Sequence, residues 1–278
     1  MGPNTLLLTV PNGFRVEYAI NPHMKNDSGA LHIVDEKKAQ QQWMDLRDLY
    51  KRLGMKVEII EGRPEYPDMV FCANQTFPFV DRTGNPALVM SRMKAEQRQG
   101  EVAYYEAWAR EKNLKVHQLS EVAFEGCGDA LWNYETGEIF AGYGIRTQLS
   151  AYDQLKEIVG APIHLLELVS EKFYHLDTCL VILDEDTAAY VPEAFTATAR
   201  ETLEQKFATL FKIDILEASR NFAGNAFCPD GENVILQKGS RFFASELRTQ
   251  GFRVHEMDTS EFIKAGGSVF CMKQCLWL

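Results

Sequence analysis

The strongest constraint on what this chain can fold into is an internal repeat. Helical periodicity, with apolar residues at three- and four-residue intervals, runs through 37–53, 96–114, 149–159, 199–210 and 240–250. A short strand-like run follows each of them: 56–60, 115–119, 163–168, 211–216 and 252–257. In the first four units a loop then leads through one polar residue into a predicted β-hairpin. The turn signals are Asp81-Arg82-Thr83-Gly84-Asn85, Tyr134-Glu135-Thr136-Gly137, Asp184-Glu185-Asp186 and Pro229-Asp230-Gly231-Glu232. The entering residues are Asn74, Asp129, Asp177 and Asn225, with Cys271 in the matching place of the last unit, at separations of 55, 48, 48 and 46 residues. So regular a period makes each unit one supersecondary module. It predicts a single α/β domain over residues 1–278, where length alone allows two. Five modules closing in a ring would bring the five entering residues to a common axis.

Composition narrows the chemistry at that axis. With 29 basic against 39 acidic residues, the formal charge is -10. Such a surface speaks against nucleic acid and suits a cationic small molecule. No stretch reaches the roughly 18 apolar residues of a membrane span, and no basic residue precedes the apolar run near the N-terminus, so a cytoplasmic protein away from membranes is expected. Six cysteines with no Cys-x-x-Cys pair read as reduced thiols, not as a disulfide framework or a zinc site.

Three constellations carry candidate chemistry. His175-Leu176-Asp177 would, on a strand, turn an imidazole and a carboxylate to one side. Glu125-Gly126-Cys127-Gly128-Asp129 brackets a glycine turn with two acids. Gly266-Gly267-Ser268-Val269-Phe270-Cys271 brings a cysteine into the ring position. An unperturbed thiol is only ~3% thiolate at pH 7, a deficit of roughly 2 kcal/mol that a nearby cation removes. Taken one at a time, each group also has an ordinary reading: Asx turns at hairpin mouths, a satisfied histidine, a small buried cysteine.

In this order and spacing the constellations resemble the guanidino-group-modifying, or pentein, superfamily of arginine deiminases, dimethylarginine dimethylaminohydrolases and amidinotransferases. The resemblance spans essentially the whole chain. Tyr18-Ala19-Ile20-Asn21-Pro22-His23-Met24 is similar to the opening segment of its arginine-hydrolysing branch, and Pro67-Asp68-Met69-Val70-Phe71-Cys72-Ala73-Asn74 to its first substrate loop. Arg92 and Arg98 match a paired-arginine segment, and Gly144-Ile145-Arg146-Thr147 a second arginine position. The resemblance implies a five-bladed α/β propeller with Cys271 as nucleophile, His175 as general acid and base, and Glu125 as the accompanying carboxylate. It also implies Asp68, Asn74 and Asp177 at the guanidinium and Arg92 and Arg146 at the substrate carboxylate. Asp129 keeps the second family acid, but one extra residue separates it from Glu125, which leaves the division of roles between them open. No metal or organic cofactor is implied.

Within the superfamily, Asp177 speaks against a dimethylarginine hydrolase, because a dimethylated nitrogen cannot donate to it twice. Asn74 stands where arginine deiminases carry an aspartate, and here the chain resembles the arginine dihydrolases. The expectation is hydrolysis of arginine to ornithine, carbon dioxide and two ammonia. The alternatives are a dimethylarginine dimethylaminohydrolase, a deiminase that stops at citrulline, an amidinotransferase and, opposed by the Cys271, His175 and Glu125 set, a non-catalytic binding pentein.

Overall fold

The computed structural model describes residues 2–278. The chain opens with β1 (Thr5–Thr9), α1 (Glu36–Arg52) and β2 (Lys56–Ile60). A second unit comprises β3 (Thr76–Val80), β4 (Pro86–Met90), α2 (Glu96–Gln99), α3 (Glu101–Glu111) and β5 (Lys115–Gln118). The third has β6 (Ala130–Asn133), β7 (Glu138–Tyr143), α4 (Ala151–Val159) and β8 (Ile163–Glu167). The fourth has β9 (Leu180–Ile182), β10 (Thr187–Tyr190), α5 (Ala197–Lys206) and β11 (Thr209–Lys212). After α6 (Ile215–Asn221) come β12 (Asn233–Gln237), α7 (Arg241–Thr249), β13 (Arg253–Met257), α8 (Ser260–Ile263) and β14 (Gln274–Leu276). The result is an α/β protein of five small sheets.

The modules share one topology. In three of them an antiparallel hairpin, such as Thr76↔Met90, is followed by a helix and a third strand parallel to the second, such as Ala87↔Lys115. The remaining three-stranded sheet joins distant parts of the chain, with β14 antiparallel to β1 and β2 parallel to it. The turns are built alike. Asp81, Asn133, Asp184 and Asp230 each use a side-chain oxygen to hold backbone N–H groups two to four residues ahead, at 2.7 to 3.2 Å. Such Asx turns reverse the chain without demanding anything of the strands.

Three expectations are corrected. The predicted helix 96–114 breaks at Gly100, where Tyr66 occupies the space a side chain would need. The strand expected at 211–216 lies at Thr209–Lys212, because Asp214 caps α6 by accepting from Leu216 N and Glu217 N. The fourth predicted hairpin shrinks to a single bridge, Phe227↔Ile235, since Pro229 in its first arm has no N–H to offer a ladder.

The helices bury apolar stripes against their sheets; α1 contributes Ala39, Trp43, Leu46, Leu49 and Tyr50 and is capped by Asp35. Phe270 packs against three of the four apolar clusters, which places it where the modules converge. Among the described residues, no helix is long and apolar enough to cross a membrane.

Candidate active site

Three of the five predicted axial residues, Asp129, Asp177 and Asn225, lie in or next to short 3-10 turns, Gly126–Gly128, Leu176–Thr178 and Ala223–Asn225, and Asn74 follows a fourth, Pro67–Val70, by four residues. His175-Leu176-Asp177 is thus a turn and not a strand, and His175 and Asp177 reach different partners. The Cys271 thiol donates to Asp177 Oδ2 at 3.1 Å and accepts from Asn225 Nδ2 at 3.1 Å. Asn225 Oδ1 accepts from the backbone N–H groups of Ser268, Phe270 and Cys271, which fixes the nucleophile's loop. Asn225 was legible as a repeat position, but its grip on the cysteine was not. Burial, and then the Asp177 charge, hold the Cys271 thiol well above the usual range, so the resting sulfur is protonated. Burial likewise pushes Asp177 up to about 7.

His175 Nε2 sits 2.6 Å from Glu125 Oε2, with both side chains buried. Burial alone would raise Glu125. The hydrogen bond from His175, its charge when the ring is protonated, and the charges of Arg146 and Arg98 outweigh it and hold the carboxylate below its ordinary range. Glu125 Oε1 also accepts from Lys94 N at 2.9 Å. With Nε2 donating to this carboxylate, His175 Nδ1 carries the lone pair and has no hydrogen-bond partner among the described residues. That tautomer makes Nδ1 the base and, once protonated, the acid.

The two acids have different partners: neither lines the cavity at Cys271, and Glu125 is hydrogen-bonded to His175 while Asp129 is not. Asp129 Oδ1 accepts from Leu176 N at 3.0 Å and braces the His175 loop, while burial pushes this acid up to about 6.

Asp68, Asn74, Arg146 and Cys271 line one small cavity, together with Arg98 and Tyr174. Arg98, quoted above only as half of a sequence pair, is its central cation. Its fork pairs with Glu101 at 3.0 Å, donates to Asn74 Oδ1 at 2.8 Å and reaches the carbonyls of Asp68 and Phe71. Besides that pair, the i, i+3 spacing to Glu101 is the sequence signal that could have found it. Arg146 Nη1 contacts Glu125 at 3.2 Å, its Nη2 donates to Ile20 O at 2.7 Å, and its plane lies over Tyr174. Arg92 is exposed and outside this cavity; its backbone bridges Phe124, and the structure does not bring its side chain to the others.

The polar atoms left over define what the site wants. Asp68 Oδ1, Asn74 Nδ2, Asp129 Oδ2 and Asp177 Oδ1 are buried without hydrogen-bond partners, nearly half of all such side-chain atoms among the described residues. The orphaned groups of Asp68, Asn74 and Asp177, which line the Cys271 cavity or bond its thiol, mark a binding site. A Cβ built on Gly128 would fall 2.2 Å from Asn74 Nδ2 and 3.2 Å from His175 Nδ1, so both nitrogens converge over this glycine.

The cavity, about 10 Å³, holds about one water. It adjoins an outer basin of about 720 Å³ whose rim carries Lys25, Lys94, Glu96 and Glu171. Between them runs the 18–24 segment, tied down by Asn21 Nδ2 to Ala265 O at 3.0 Å and by His23 Nε2 to Lys172 O at 2.8 Å. Tyr174 closes the side through its bond to Gly266 O.

Comparison with known proteins agrees with this geometry. A family model described as N,N dimethylarginine dimethylhydrolase, eukaryotic, matches residues 11–277. The chain is 38% identical over 264 residues to an N(G),N(G)-dimethylarginine dimethylaminohydrolase of Mycobacterium tuberculosis, covering 95% of this chain and 83% of that one. It is 33% identical over 269 residues to the bifunctional arginine dihydrolase/ornithine cyclodeaminase ArgZ of Synechocystis, covering 96% of this chain but 37% of the relative. Its structure superposes on that of the N-terminal domain of an asparagine-to-serine variant of ArgZ covalently bound to a reaction intermediate. The TM-score is 0.90 at 32% identity, over 98% of this chain and 97% of the other. The chain belongs to the dimethylarginine dimethylaminohydrolase family within the guanidino-group-modifying superfamily, and it is a hydrolase of C–N bonds in amidines.

Proposed function

We propose that this family member hydrolyses arginine through a covalent thiouronium on Cys271 and carries the reaction on to ornithine, carbon dioxide and two ammonia. The reading takes residues 1–278 as one catalytic domain, a five-bladed α/β propeller. The five small sheets, and the pairing of β14 with β1, support that closure.

The guanidinium enters as a cation and offers N–H donors to the orphaned oxygens of Asp68 and Asp177. Its charge supplies what the resting thiol lacks, so with substrate bound Cys271 passes its proton to His175 Nδ1 and ionises. The sulfur adds to the central carbon, His175 Nδ1 protonates one terminal nitrogen, and ammonia departs. A water, deprotonated by the now neutral His175, adds to the thiouronium carbon, and the C–S bond breaks to give citrulline. A second round expels ammonia from the ureido group to leave a thiocarbamate. Its hydrolysis yields an N-carboxyl that loses carbon dioxide, leaving ornithine. Two waters are consumed per arginine. Glu125 keeps the His175 tautomer and stabilises the imidazolium; Asp129 and Asn225 position the two loops. Arg146, already shared between Glu125 and the covering segment, is the cavity's candidate for the substrate carboxylate. Arg92 reaches that carboxylate only if its exposed side chain turns inward.

The observation that carries the second half is Asn74. Its oxygen is taken by Arg98, which leaves Nδ2 as a free buried donor. Citrulline's ureido oxygen needs a donor, and an aspartate at this position would oppose acceptor to acceptor, at a cost of roughly 1 to 3 kcal/mol. Wild type should therefore release close to two ammonia per arginine, and Asn74→Asp close to one, with citrulline accumulating. Wild type that stops at citrulline refutes the dihydrolase reading. Identity to the mycobacterial protein favours dimethylarginine as the rival substrate. Asp177 Oδ1, which needs a donor that a dimethylated nitrogen lacks, opposes it. Amino-acid analysis after incubation with each compound separates the two.

A further inference from the structure

The inner cavity at Cys271 is too small to enclose a whole arginine, so on the reading proposed above the substrate runs outward from it. Ile20, Asn21, Arg146 and Tyr174 line both that cavity and the outer basin, and they mark the passage between the two. The substrate's charged head therefore comes to rest in the basin, beside Arg146. The Arg146 fork is already committed there: Nη1 to Glu125 and Nη2 to Ile20 O, which leaves Nε as its donor without a partner among the described residues. A carboxylate held at this point needs a second cation.

Arg92 lines neither the cavity nor the basin. Lys94, two residues on, lines the basin and is exposed to it. Its backbone N–H is fixed on Glu125 Oε1 at 2.9 Å, and its ammonium reaches across to Ile145 O at 2.5 Å, the carbonyl of the residue before Arg146. Among the described residues that carbonyl is the only hydrogen-bond partner of the ammonium, and the basin's acids, Glu96 and Glu171, form no ion pair with it. Two of its three N–H donors are thus free. Lys25 shares the basin, but no hydrogen bond among the described residues ties it to the Arg146 loop; its backbone bridges Leu31 instead. We propose that Lys94 is the second cation for the substrate's α-carboxylate, closing on it together with Arg146 Nε in the place that the sequence pattern gives to Arg92. Lys94 thereby selects for an amino acid over the same guanidine without its carboxylate.

The test pairs arginine with argininamide, which keeps the guanidinium and the α-ammonium and lacks the carboxylate charge. Calorimetry on a Cys271→Ser background should show Lys94→Gln weakening arginine about 5- to 10-fold and argininamide less than ~2-fold. Glutamine can still donate to Ile145 O, so this loss reads the charge and not the tether. Lys94→Arg should stay within ~3-fold of the parent for both probes. In the active enzyme Lys94→Gln should raise KM for arginine by a similar factor, with kcat changed less than ~2-fold, and the effect should shrink at ~0.5 M salt. Equal losses on both probes, a glutamine variant indistinguishable from its parent, or a carboxylate-selective loss that appears in Arg92→Gln and not in Lys94→Gln would each overturn the proposal. Dimethylarginine and its amide carry the same head group and give the same comparison, so failure of the arginine reading leaves this test in force.

Discussion

Replacing Asp177 by asparagine should stabilise the substrate-free protein above neutral pH while destroying its activity. Asp177 is wholly buried, and burial raises its carboxyl from 3.8 to about 7 in the fold. An unfolded chain has lost this proton by about pH 4, whereas the native state keeps it until about pH 7. Between those values the native state binds more protons, so stability falls as pH rises and stays lower above the window. At about 1.4 kcal/mol per pH unit the loss has a ceiling of about 4 kcal/mol. Asparagine has the same shape and does not titrate, so the stability gained by Asp177→Asn should be about 1 kcal/mol at pH 4.5 and approach that ceiling at pH 8. For a chain of this size roughly 2 °C accompany each kcal/mol. Thermal unfolding should thus give a variant about 5 to 8 °C more stable at pH 8 and only about 2 °C more stable at pH 4.5. Contributions from Asp129 and Glu101, also raised by burial, cancel in the difference. A gap of equal size at both pH values, or a wild type that gains on the variant as pH rises, would refute the reasoning.

Gly128→Ala places a methyl against Asn74 Nδ2 and His175 Nδ1 at a backbone conformation alanine tolerates; kcat should fall about 100-fold while the melting temperature moves little. Arg98→Ala leaves Glu101 buried without its partner and should cost about 3 to 5 kcal/mol in urea unfolding, which Arg98→Lys, lacking the planar fork, should only partly restore. Lys273 is 1% exposed, with its ammonium 3.2 Å from the centroid of the Phe270 ring and 4.3 Å from that of Phe227, and its charge lowers Asp177. Lys273→Met should move the acid limb of kcat/KM to higher pH, read from a pH–rate profile.

The repeat made the convergence of Asn74, Asp129, Asp177, Asn225 and Cys271 legible, because period and turn chemistry are local properties of the chain. What each residue does once there is decided by depth and by partners from other modules. Glu125 and Asp129 look equivalent on either side of two glycines, yet one meets His175 and the other Leu176 N. Arg92 and Arg98 look equivalent too, and only Arg98 falls on the inward side of α2, within reach of Glu101 and Asn74. The run 211–216 alternates well enough for a strand, but the capping oxygen of Asp214 satisfies the first N–H groups of a helix and ends it early.

The pairing of β14 with β1 also bears on how the molecule is made. During synthesis Leu6, Leu7 and Leu8 emerge well ahead of β14, the strand from Gln274 to Leu276 that covers that edge. At ~5 to 20 residues per second the wait is roughly 10 to 50 seconds, during which an apolar edge is open to other chains. Cys271 immediately precedes that late strand, so a nascent chain with the other four site loops already folded still has no nucleophile. Activity and closure of this sheet therefore arrive together, and a prematurely terminated product is both inert and sticky.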